Sequence, residues 1–208
     1  MRIRMSLVFV FAIVSVCSFG CSTSRMSHTS RTGMEQLLIS NAVDQVLNRF
    51  DFTQLAGASV FVEEKYLEGV DKGYLISSVR ERLLRSGARL MDKVDESDVV
   101  VELRSGGIGT DTKDSYVGFP GITVPAPMPV ELPEVRLWNR SKQMGTAKIG
   151  IVAYDTKSRQ ALNLGGQTLA RSDDSNWYVM GLGPFQSGSV REEVHVATGA
   201  VDQMTLMR

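Results

Sequence analysis

The sequence predicts a mixed α/β (α+β) fold: a single domain whose sheet is covered by helices on one face, with a long Pro-rich loop. Three observations carry this. Apolar residues recur at helical spacing over 33–50 and 74–85. Short β-branched or aromatic runs at 58–63, 99–103 and 146–154 have the composition of strands. The two kinds of segment interleave along the chain, as in a sheet with packed helices. At 208 residues, 43% hydrophobic and 22% charged, the chain is long enough for one domain with a substantial core.

Each element has a local reason. Thr32-Gly-Met-Glu35 is a capping-box pattern, so a helix is expected from Gly33 to about Phe50, with Ile39, Val43, Val46, Leu47 and Phe50 on one face. Ala58–Glu63 follows Gly57 as a strand. A second helix is expected over Tyr74–Arg85, with Leu75, Ile76, Val79, Leu83 and Leu84 apolar. Gly87 tolerates the positive φ of a helix C-terminus, and Arg80, Arg82 and Arg85 suit its dipole. Ala88–Met91 reads as a strand, Asp92–Asp98 as an acidic turn, and Val99–Leu103 as the clearest strand of all. From about 105 to 145 no regular structure is expected. Five of the six prolines fall between 120 and 133, where neither a helix nor a central strand can form. Thr146–Tyr154, the turn Asp155–Ser158 and Gln160–Arg171 form a hairpin, with Gly165-Gly166 as a bulge. Arg171–Asn176 has turn composition, Trp177–Met180 is a further short strand, and 181–208 is only weakly patterned.

The N-terminus has the layout of a targeting segment. Arg2 and Arg4 precede an apolar run, Met5–Phe19, too short for a comfortable membrane span. Ser18-Phe-Gly-Cys21 is similar to a bacterial lipobox, with small Gly20 just before the cysteine. Cys17 fits less well because bulky Val16 precedes it. The expectation is a signal peptide at 1–20, lipidation of Cys21 and a flexible tether over 21–31, ahead of a domain at 32–208. A plain signal peptide and an uncleaved anchor are the competing readings. Cleavage leaves 188 residues with 21 basic and 23 acidic groups and a single cysteine, hence no disulfide. Ser22 in place of Asp resembles lipoproteins of the outer membrane facing the periplasm.

Chemistry is thinly represented. Equal numbers of basic and acidic residues, 23 each, argue against nucleic acid as a partner. His28 lies in the tether, which leaves His195 as the one histidine of the domain, and no G-x-S-x-G elbow accompanies it. Asp111 with Asp114, and Asp173 with Asp174, lack calcium-loop spacing and read as turn residues. Gly107-Ile-Gly109 follows a strand, but Thr112 stands where a third phosphate-binding glycine belongs. Glu63, Glu64, Glu102, Glu131 and Glu134 are unmarked carboxylates. No catalytic residue, metal or cofactor is therefore expected. The unusual feature is the apolar content of the Pro-rich stretch: Phe119, Ile122, Val124, Met128, Val130 and Leu132. It reads either as a docking or self-association arm or as a loop packed over the domain's own sheet. Trp138 and Trp177 read as core or edge-covering aromatics.

Four segments, Thr29–Leu38, Val70–Ser78, Asp98–Gly106 and Gly183–Gly188, resemble an uncharacterised family of bacterial envelope lipoproteins, classed as a domain of unknown function. The resemblance runs from about Thr29 to about Gly188 and brings no catalytic residues with it. The lipobox-like Cys21, the missing catalytic constellation and the apolar Pro-rich arm together lead to the expectation of a non-enzymatic, membrane-tethered accessory or assembly factor that binds other envelope components. An envelope module for a small apolar ligand or lipid is the alternative, and a cryptic hydrolase using carboxylates or His195 the remote one.

Overall fold

Thr32 starts the first helix. Its hydroxyl accepts the Glu35 N–H at 3.2 Å, and the Glu35 carboxylate accepts the Thr32 N–H at 2.8 Å, so both halves of the capping box form. The structure, a computed structural model, describes residues 31–69, 71–124 and 130–197. Helix α1 spans Gly33–Leu47 and buries Leu38, Ile39, Ala42, Val43, Val46 and Leu47. It stops short of Phe50, which packs against the edge of the core instead. After a 3-10 turn at Phe52–Leu55 come strand β1 (Ser59–Tyr66) and helix α2 (Lys72–Arg85). Gly87, at φ +89°, turns the chain into the short β2 (Arg89–Leu90). A second 3-10 turn, Val94–Glu96, occupies the expected acidic turn.

The remaining elements are mostly β. They are β3 (Val99–Phe119), β4 (Ile122–Val124), β5 (Val130–Leu132), β6 (Val135–Asp155), β7 (Ala161–Val179), β8 (Leu182–Ser187) and a closing helix, α3 (Ser189–Ala197). Six strands form one mixed sheet in the order β2-β1-β3-β6-β7-β8, and β4 and β5 form a separate two-stranded sheet. β1 is parallel to β2 and β3, whereas β3, β6, β7 and β8 are antiparallel in succession. The Asp155 turn is built as the composition suggests: its carboxylate accepts the N–H groups of Lys157 and Ser158 at 3.0 and 2.7 Å.

The result is a single compact α+β domain. Alternate residues of the strands, Val99, Val101 and Leu103 on β3 and Ala147, Ile149, Ile151 and Ala153 on β6, share one apolar cluster with α1 and with Leu75, Val79 and Leu83 of α2. The approach is closest at Gly145, where a Cβ would run into the Leu38 carbonyl; the Ser172 hydroxyl donates to that same carbonyl. At the other end of α1, Arg49 Nη1 donates to the Leu169 carbonyl at 2.8 Å. The N-terminus of α1 therefore points along the sheet toward residues 110–119 of β3.

Three expectations are corrected. The stretch 105–145 is regular over most of its length. β3 runs to Phe119 and β6 starts at Val135, paired throughout, so the long loop shrinks to 120–134, and that includes the β4–β5 pair. Arg171–Asn176 is a straight part of β7, not a turn. Arg31, counted with the tether, is fixed by a two-pronged contact with Asp71 at 2.8 and 2.6 Å. The expected bulge beside Gly165-Gly166 is present as a register shift opposite Val152–Tyr154.

Candidate functional site

The long strands carry the sheet well past the helices. Twenty-one residues at about 3.3 Å each make β3 and β6 on the order of 70 Å long. Beyond the level of α1 the sheet has no helix to pack against, and there its side chains change character.

Strand register defines the rows of this overhang. On the face opposite the helices, the last row is Val117, Trp138, Val179 and Leu182. The next row back is Ser115, Arg140, Trp177 and Phe185, and the third is Lys113, Lys142, Ser175 and Ser187. Trp177 and Phe185 stack with ring centroids 4.5 Å apart. On the helix-side face, Tyr116, Asn139 and Tyr178 form a row, and the Arg136 guanidinium lies 5.0 Å from the Tyr116 ring centre. Phe119 follows Val117 by two residues, is paired with Val135, and is 67% exposed. The β7–β8 turn places Met180 at the end of that hairpin, 75% exposed, at φ +49°. Its N–H donates to the Leu137 carbonyl at 2.7 Å, which joins the turn to β6.

Of the eighteen large apolar side chains that are exposed among the described residues, ten lie in this overhang or in the adjoining β4. Single exposed apolar residues need no explanation, but a contiguous group marks an interaction surface. The charges around the rim are mostly matched. Arg136 meets Glu134 at 2.6 Å, Lys142 meets Asp173 at 3.0 Å, and Arg140 donates to the Ser175 hydroxyl at 2.8 Å. Burial works to raise the Asp173 carboxyl, yet Lys142 and the Ser189 N–H outweigh it and hold the group below its ordinary value.

The residues singled out from the sequence are distributed unevenly. Phe119 and Ile122 are exposed, and Ile122 pairs with Leu132. Val124 pairs with Val130 across the small sheet. Met128 and Cys21 lie outside the described residues. Val117, Val179, Met180, Leu182 and Phe185 were missed, and Trp138 and Trp177 belong to this rim. The missed signal was a hairpin: two short apolar segments separated by Met180-Gly181.

No other part of the described structure assembles a comparable set. Asp111 and Asp114 sit on opposite faces of β3, as do Asp173 and Asp174 on β7, so neither pair converges. Asp174 is instead buried, accepting from Arg191 Nε at 2.7 Å and from Asn176 at 2.8 Å. His195 lies on α3. Glu64 is paired with Lys72 at 3.1 Å, and Glu63 accepts the Lys65 N–H. Among the described residues no three His, Cys, Asp or Glu side chains come together as metal ligands, and no helix is long and apolar enough to cross a membrane.

The fold and rim together define an α+β sheet protein with an overhanging, apolar-tipped ribbon. Residues 15–207 match a family of unknown function, DUF6655, and the chain belongs to that family. No curated protein matches the sequence.

Proposed function

We infer that this is a non-enzymatic protein of the bacterial cell envelope, tethered through a lipidated Cys21, probing other envelope components with the apolar end of its ribbon. The single observation that carries the contact surface is the concentration of exposed apolar residues in the overhang. The anchor rests on the lipobox-like Ser18-Phe-Gly-Cys21 that closes a short apolar run. In this reading the helices and the covered sheet form a rigid body, and the work is done by contact rather than by bond making. An accessory or assembly role follows, with Phe119, Ile122 and the Val117–Leu182 row as the working residues.

Two measurements test it in cells. Metabolic labelling with a fatty-acid analogue is expected to mark the wild type and not Cys21→Ser; equal labelling of both refutes the anchor. A photo-crosslinking residue placed at Phe119 or Leu182 is expected to capture envelope components, whereas the same residue at Leu84, exposed on α2, is expected to capture none above background. Equal capture at both places refutes the contact surface.

A further inference from the structure

We propose that the apolar end of the ribbon inserts into the surface of the phospholipid bilayer that holds the anchor, giving the protein two points of attachment to one membrane. The inference rests on the lipid-anchor reading above and names the occupant of the contact surface.

Three features favour lipid over a protein partner. First, the apolar residues surround the end of the sheet instead of covering one side of it. Val117 and Leu182 lie on one face, Tyr116 and Tyr178 on the other, and Met180 caps the turn. A protein partner presents one complementary face; a bilayer surrounds whatever enters it. Second, the side chains are graded by depth. Behind the row of Val117, Trp138, Val179 and Leu182 come Trp177, Phe185 and Arg140, and behind these Lys113 and Lys142, while Arg136, beyond that row, is neutralised by Glu134 at 2.6 Å. Apolar, then aromatic with arginine, then lysine is the order in which a bilayer passes from acyl chains to headgroups, with long cationic stems snorkelling outward.

Third, the chain outside the described residues has the right length and leaves from the right place. Gly145 on β6 lies level with Leu38, and ten strand residues beyond it the ribbon ends at Val135. Arg31 lies about two helical turns from Leu38 on the same side, held by Asp71. The ribbon end therefore stands on the order of 25 Å beyond Arg31. The ten residues from Cys21 to Arg31 can span at most about 35 Å. An acylated Cys21 thus reaches the plane of the ribbon end.

The chain contains two tryptophans, Trp138 and Trp177, and both lie in the two outermost rows. Intrinsic fluorescence therefore reads the ribbon end without a label. The full-length lipidated protein is reconstituted into phosphatidylcholine–phosphatidylglycerol vesicles with and without dibrominated acyl chains, and attachment is read separately by flotation. The expected result is blue-shifted emission, quenched by the brominated lipid. Leu182→Asp and Met180→Asp are expected to remove the quenching while flotation and circular dichroism stay unchanged. Met180→Asp alters an exposed turn side chain, so it keeps the test usable if the other variant misfolds. Protein that floats with unquenched tryptophans overturns the insertion and leaves the anchor standing. Emission shielded from brominated lipid but dependent on protein concentration assigns the surface to a second copy and also overturns it. If Cys21→Ser floats like the wild type, the anchor reading fails, and quenching in that protein still decides the insertion.

Discussion

Met180 is the residue to change first, because structure and proposed use pull it in opposite directions. It is the first of two turn residues between Val179 and Leu182, and both it and Gly181 have positive φ, at 49° and 80°. That pair of angles belongs to the tight hairpin turn for which Asn-Gly is the preferred sequence. A residue with an ordinary side chain in this region costs about 1–2 kcal/mol, a cost that asparagine largely avoids by bonding locally. Met180 is 75% exposed, so Met180→Asn gives up only about a quarter of a buried methionine's contribution, roughly 0.5 kcal/mol. The net expectation is a gain of about 0.5–1 kcal/mol, or a rise in Tm of about 1–4 °C for a domain of this size. Thermal unfolding followed by circular dichroism measures it. The same variant is expected to weaken quenching by brominated lipid, since an exposed apolar side chain of the rim is gone. A Tm that stays level or falls would refute the strain argument. Quenching unchanged beside a raised Tm would show that Met180 is not held there for contact.

Gly145→Ala is expected to lose about 2–3 kcal/mol, because its Cβ meets the Leu38 carbonyl and forces α1 away from the Ser172 hydroxyl bonded to it; a loss below about 0.5 kcal/mol in urea titration would contradict that close approach. Arg191→Ala strands the Asp174 carboxylate, 2% exposed, with Asn176 as its remaining partner. A loss of about 2–3 kcal/mol is expected, and pairing it with Asp174→Asn is expected to recover most of it in a double-mutant cycle. Burial and the Asp44 carboxylate, 2.5 Å away, raise the Tyr74 phenol from 10.0 to about 12. The folded state thus binds that proton more tightly, so its contribution is whole below pH 10 and drains away as pH rises toward 12. Tyr74 is 42% exposed, which limits the effect to less than about 1 kcal/mol. Tyr74→Phe is expected to flatten that part of the Tm-versus-pH curve, and an unchanged slope would dismiss the linkage.

What could be read in advance depended on what each residue packs against. Thr32 and Glu35 announce their helix because capping is local chemistry, and Val99–Leu103 announces its strand because continuous β-branched residues are wanted where helices cover the sheet. The continuation of β3, Asp111 to Ser115, is built from Asp, Thr, Lys and Ser. Past the helices neither face has a core to fill, so no alternation marks it as a strand. Ser172-Asp-Asp-Ser175 misleads for a different reason. Its polar side chains are buried and satisfied, Ser172 on the Leu38 carbonyl and Asp174 on Arg191, pairings that involve residues far away in the chain. Phe119 and Ile122 were legible as exposed apolar residues because prolines flank them. Their companions Val117, Trp138, Val179 and Leu182 were not, since a row across four strands exists only once the register is known.

The register of β3 against β6 also determines how the molecule bears load. Twenty residue pairs run unbroken in direction from the core to the ribbon end, with hydrogen bonds crossing at right angles to the strands. A pull on the end relative to the helical body acts along those strands. Residues 120–134 join the two strands at that end, so both are loaded in the same direction, along their backbones, and the bonds between them are not pulled apart. A protein held at such an end transmits displacement of its support to its core almost without give, as a lever does.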